Sequence, residues 1–181
     1  MQSMIVRVRV LAAVACIMAA GTGFVRAQSS LAQIVTDPQG RFAMTFPQTW
    51  EVATRADGLI VLVAAGPAQG GYRPTVNVVI EPLQEPMPPA TYAARAEPLA
   101  ASVFHGYTVL QQGSATIAGR PAYYRYFTWE PNNTAPVYQL QAYFTSGRSG
   151  YVVTGRTLNQ PESIQRDMPL IVQILDTFRV L

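Results

Sequence analysis

One cysteine (Cys16), one histidine (His105) and no lysine occur in the 181-residue chain, and only 13% of its residues are charged. A lone cysteine cannot close an intrachain disulfide, so the fold has to be held by its core. A single histidine excludes a His-rich zinc site, and a domain without cysteine excludes thiolate ligation and Cys/His catalysis. A serine triad would have to use His105, and no Gly-x-Ser-x-Gly elbow accompanies it. The glycine-rich segment 66–71 lacks the Lys-Ser/Thr of a phosphate-binding loop. No metal or cofactor is expected. The all-arginine cation set fits genomic composition as readily as chemistry. Among the carboxylates, Glu81, Glu85 and Glu130 could in principle serve a glycosidase that needs no histidine. Their spacing does not set them apart from solvated residues, so a carboxylate-based hydrolase is only the third functional reading.

At the N-terminus, Arg7 and Arg9 precede an uncharged apolar run over 10–20. That run is short for a bilayer span, which takes about 20 apolar residues. Gly21 and Gly23 follow, and Val25-Arg26-Ala27 sets compact residues where a signal peptidase reads. Residues 1–27 are therefore expected to be a signal peptide cleaved before Gln28, and 28–36 a flexible spacer, with the mature protein periplasmic or secreted. Two alternatives stay open: an uncleaved anchor over 10–25, and a lipidated Cys16, which Ala15 suits and Ala13, in the usual leucine place, does not. Arg7, Arg9 and Arg26 account for the formal charge of +3. The remaining ten arginines balance ten carboxylates, so nothing invites nucleic acid or an anionic membrane.

Residues 37–181 are enough for one core and too few for two domains. Phe42, Met44 and Phe46 alternate before Pro47, which predicts a strand over 41–46 with Trp50 folding back over the core. Short β-branched runs predict strands over 59–65 and 75–81, and four prolines between 82 and 89 make a surface connection. Tyr92, Ala96, Leu99 and Val103 form an apolar stripe on a helix over 91–104, which Pro98 interrupts and His105 ends, capping it or facing solvent. Strands follow over 108–112, 122–129, 137–145 and 150–157, joined by short turns. A closing helix over 161–178 carries Ile164, Met168, Ile171, Ile174, Leu175 and Phe178 on one face. The pattern is α+β: an α-β-α sandwich with a central antiparallel sheet flanked by helices.

The aromatics are the informative feature. Tyr123, Tyr124, Tyr126, Phe127, Trp129, Tyr138, Tyr143, Phe144 and Tyr151 crowd three consecutive strands, so both faces of the sheet carry rings. Cross-strand packing explains them without any ligand. The functional alternative is a recognition surface drawn from Tyr124, Arg125, Tyr126, Trp129, Tyr138, Tyr143 and Tyr151. Arg125 shares its face with Tyr123 and Phe127, where a guanidinium can stack or pair with a carboxylate.

Four segments, taken in order, carry a resemblance: Phe-Ala-Met-Thr-Phe-Pro-Gln-Thr-Trp over 42–50, Asn-Val-Val-Ile over 77–80, Ile-Ala-Gly-Arg-Pro-Ala-Tyr over 117–123 and Ile-Leu-Asp-Thr-Phe-Arg-Val over 174–180. In that order the chain resembles the PsbP/Mog-like family, including bacterial extracytoplasmic PsbP-related and LpqN-like proteins. The resemblance implies a central antiparallel sheet between helices and a role in binding, assembly or envelope maintenance, with no catalytic set to carry over. The leading expectation is a non-enzymatic exported accessory protein that binds an unknown envelope or secreted protein. The alternative is a carrier or sensor of a small apolar ligand held between sheet and helix.

Overall fold

The computed structural model describes residues 31–131 and 134–181. The expected signal segment 1–27, with Cys16 and the cleavage site, lies outside the described residues, as do residues 28–30, Asn132 and Asn133.

The described residues form two sheets. The smaller one runs β1-β2-β10, from β1 (Leu31–Thr36), β2 (Phe42–Pro47) and β10 (Arg179–Val180). Of the span 28–36, read from sequence as a spacer, residues 31–36 are thus a strand. Backbone pairing with β2 orders it, while Ile34 and Thr36 stay exposed. The larger sheet has seven strands: β3 (Glu51–Thr54), β4 (Ile60–Ala65), β5 (Thr75–Pro82), β6 (Thr108–Ile117), β7 (Arg120–Trp129), β8 (Val137–Ser146) and β9 (Ser149–Leu158). Their order is β3-β4-β5-β9-β8-β7-β6, every pair antiparallel. Helix α1 (Pro89–Val103) lies over β8, β7 and β6; helix α2 (Pro161–Leu175) lies over β9 on the opposite face and reaches β2. This is the α-β-α sandwich expected from the alternating pattern.

The period-2 register sorts the side chains. Ala142, Phe144, Tyr151 and Val153 point to the α2 side, where they join Phe42, Met44, Phe46, Trp50, Ile171, Ile174 and Phe178 in the main core. Phe178, just beyond α2, anchors this layer, with its ring centroid 4.7 Å from that of Phe144 and 5.7 Å from that of Phe42. The neighbours Tyr143 and Val152 point to the α1 side and pack with Leu83, Tyr92 and Ala93 in a second, smaller core. Both helices begin with proline at a first-turn position, where the missing N–H costs nothing, and both run through an exposed internal proline, Pro98 or Pro169.

The inward face of α1 differs from the expected stripe. Tyr92 packs inward with Ala93 and Ala100, but Leu99 and Val103 are 67% and 65% exposed. The reason is electrostatic. Arg125 is buried beneath the helix, and Glu97 turns toward it, so the helix rotates small residues and one carboxylate onto the sheet.

The β1–β2 turn is built on another buried charge. Asp37 Oδ2 accepts hydrogen bonds from the backbone N–H groups of Gln39 and Arg41, each at 3.2 Å, and from Arg41 Nε at 2.7 Å; Oδ1 accepts Arg41 Nη2 at 2.8 Å. Burial pushes the Asp37 carboxyl up, and these donors outweigh it and hold the carboxyl below its ordinary value. A depressed carboxylate adds stability above its unfolded pKa, about 3.9, and that contribution is lost as pH falls through the lower folded value. Asp37→Asn should cost about 2 kcal/mol at neutral pH. Its urea-unfolding stability should also fall less than that of the parent chain below about pH 4.

Candidate functional site

Strand parity divides the seven candidate residues between two faces. On the α1 side are Arg125, Trp129 and Tyr143; on the α2 side are Tyr124, Tyr126, Tyr138 and Tyr151. Tyr151 is a core residue, its ring 5.6 Å from Phe178.

Beneath α1, Arg125 is 1% exposed and is the largest fully buried side chain among the described residues. Its Nε donates to Gln112 Oε1 at 2.8 Å, its Nη2 donates to Glu97 Oε2 at 3.0 Å, and its Cζ stands 5.7 Å from the Tyr143 ring centroid, within cation–π range. Tyr143 donates from its hydroxyl to Gln141 Oε1 at 2.6 Å. Burial drives the Tyr143 phenol up to about 12 despite the neighbouring guanidinium, so it stays a neutral donor. Trp129 closes the far end, donating from Nε1 to Gln139 Oε1 at 2.9 Å under the Phe104 ring 4.9 Å away. Each of these three candidates is therefore committed to an internal partner. Beside them, residues 101–108 line an open cleft of about 510 Å³ that contains the exposed His105. Tyr107 Oη and Arg125 Nη1 are the buried polar side-chain atoms without a hydrogen-bond partner among the described residues.

On the opposite face, Tyr124, Tyr126 and Tyr138 form a ladder. The ring centroids of Tyr124 and Tyr126 are 5.9 Å apart at 68°, and those of Tyr126 and Tyr138 are 5.8 Å apart at 40°. Because α2 lies over β9, this ladder on β7 and β8 borders the main core and remains half-buried. Gln111 on β6 donates from Nε2 to the Tyr124 hydroxyl at 3.0 Å. Gly113 lies beside Tyr124 and Ala115 beside Ala122, so small residues extend this face toward the sheet edge. Burial raises the Tyr126 phenol to about 12, reinforced by its two tyrosine neighbours, and burial raises that of Tyr138 as well. Both hydroxyls are protonated donors at neutral pH.

The carboxylates weighed for catalysis do not converge. Glu81 accepts a hydrogen bond from the Tyr92 hydroxyl, Glu85 pairs with Arg95 at 3.0 Å, and Glu130 stands beside Gly106. Among the described residues no group of three His, Cys, Asp or Glu side chains is gathered to hold a metal ion, and no helix is long and apolar enough to cross a membrane. Sequence reasoning missed Glu97 and Gln112. The signal available for them was Arg125 itself: a cation between inward-facing aromatics requires an acceptor on whatever covers it.

No curated protein matches the chain in sequence. Solved structures share its fold at low identity. PA94 of Pseudomonas aeruginosa, a protein of unknown function, aligns with a TM-score of 0.58 at 18% identity over 80% of this chain and 94% of its own. Cyanobacterial PsbP (CyanoP) of Synechocystis sp. PCC 6803 aligns at 0.57 and 14% over 90% and 98%. LpqN of Mycobacterium tuberculosis, involved in cell envelope biogenesis, aligns at 0.56 and 16% over 82% and 89%. These likenesses establish a common fold only. The PsbP/Mog-like assignment made from motif order is corrected by the family comparison, in which residues 43–173 match the model named DcrB. The motifs misled because they punctuate the shared architecture: Phe46-Pro47 ends β2, Ala118-Gly119 makes the β6–β7 turn with φ of 52° and 75°, and Phe178 anchors the segment just after α2 to the core. Matched over most of its length, the chain belongs to the DcrB family.

Proposed function

We propose that the chain is an exported accessory protein that binds another envelope protein without catalysing a reaction, using the Tyr124–Tyr126–Tyr138 ladder as its contact surface. The half-buried ladder, on the part of the sheet that α2 leaves open, carries this reading. Neighbouring tyrosine rings offer a partner large apolar area and hydroxyl groups at little conformational cost, the chemistry of interface anchors. The neutral balance outside the N-terminal segment favours such a contact over anionic polymers. LpqN, of the same fold, is involved in cell envelope biogenesis, which agrees with an envelope partner.

The test is affinity capture from envelope extract, followed by binding measurements on the recovered partner. Tyr124→Ala combined with Tyr138→Ala should weaken binding by at least about 30-fold, the loss of one strong anchor. Undiminished binding by a variant whose circular dichroism matches the parent would remove the ladder from the interface.

A further inference from the structure

The two edges of the seven-stranded sheet are unequal. β3 ends one side with four residues and carries Glu51, and short, charged edges resist further pairing. β6 ends the other side with ten residues, Thr-Val-Leu-Gln-Gln-Gly-Ser-Ala-Thr-Ile, without charge or proline. Indeed, no Asp, Glu, Lys or Arg occurs between Glu97 and Arg120. The only device against pairing is a register shift between Val109 and Gln111; from Gln111 to Ile117 the strand matches β7 residue for residue. Half of its backbone N–H and C=O groups face away from β7, and Gln111, Gln112, Ser114 and Thr116 are exposed.

We propose that β6 is the edge along which two copies of this chain pair, antiparallel and two-fold symmetric, into one continuous sheet. The occupant follows from the strand's composition. A two-fold contact sets a strand against itself, so any charge near the axis would meet its own image. β6 has none to meet, and over 111–116 amides, hydroxyls and small residues face each other. A two-fold between antiparallel strands is perpendicular to the sheet, so both copies present the same face. On the α2 side, Gly113, Ala115 and the Gln111 side chain bonded to Tyr124 would lie at the seam, and with Gly113 at the axis the two Tyr124 residues would stand about 14 Å apart, at three strand spacings. The two tyrosine ladders would then lie on one face of the continuous sheet. This proposal is independent of the partner-binding reading, since the pairing uses backbone groups rather than the tyrosine rings.

Sedimentation velocity of the purified protein over a range of concentrations should show a species of twice the chain mass. Ser114→Lys with Thr116→Lys, which sets like charges across the axis on exposed positions, should weaken the dimer by at least about 10-fold while leaving the melting temperature of the monomer unchanged. Amide hydrogen exchange supplies the second readout: amides over 111–117 should slow on self-association in the parent chain and not in the variant. A parent chain that stays monomeric to millimolar concentration would overturn the proposal. So would a dimer untouched by the two lysines, or one whose β6 amides exchange freely. Protection of β6 only when a different protein is added would assign the edge to that protein instead.

Discussion

Glu97→Ala should destabilise the domain by about 3 kcal/mol, several times the loss of an ordinary surface ion pair. Glu97 is 40% exposed and would by itself be a minor loss, but its partner Arg125 is 1% exposed and cannot recover water when the carboxylate goes. The guanidinium would keep Gln112 and the Tyr143 ring, neither of which carries a compensating charge. For a domain of this size the loss corresponds to a fall in melting temperature of roughly 10 °C. Arg125→Met in the Glu97→Ala background should restore most of it, because replacing a buried pair by apolar groups of similar volume is close to neutral. If the double variant were as unstable as Glu97→Ala, the penalty would come from the helix itself and not from the stranded charge.

Gly155→Ala should cost about 3 kcal/mol or abolish soluble folding. Gly155 lies at mid-sheet on β9, and a Cβ there would run into Cγ2 of Ile171 on α2 and come within 3.5 Å of its Cβ. Ile171 is fully buried and β-branched, so it cannot swing aside without disturbing the layer around Phe178. α2 therefore sits closer to β9 than any side chain at 155 permits. Ile171→Leu, which removes the opposing methyl, should recover part of the loss in the double variant; strictly additive destabilisation, read from urea melts, would place the clash elsewhere.

Most of the architecture was legible because most strands alternate. β2, β4, β5 and the four strands from β6 to β9 show a period of two or a β-branched run, and α2 shows a clean apolar face. β1, β3 and β10 left little trace: Ile34 points to solvent, β3 is four residues long, and β10 is two residues whose place is set by pairing with Phe42 and Ala43. The α1 face was misread at Leu99 and Val103, since hydrophobicity alone orients a helix by its largest apolar side chains, whereas here a buried arginine did so. The candidate aromatics could be placed on strands, and parity could assign their faces. Which face a helix would leave open depended on the lateral positions of α1 and α2, and no local pattern encodes those.

The strand order also governs how the chain must assemble. β3, β4 and β5 form one run of consecutive hairpins, and β6 to β9 form another, each built from pairings local in sequence. Only the β5–β9 seam, Thr75 to Pro82 against Ser149 to Arg156, joins the two runs of strands, across roughly seventy intervening residues whose closure entropy falls due in one event. Two meanders can therefore form early and separately, and their docking at that seam is the step expected to limit the folding rate. Gly155, the residue on which α2 closes, lies in the same seam opposite Val76, so cover and seam are completed together.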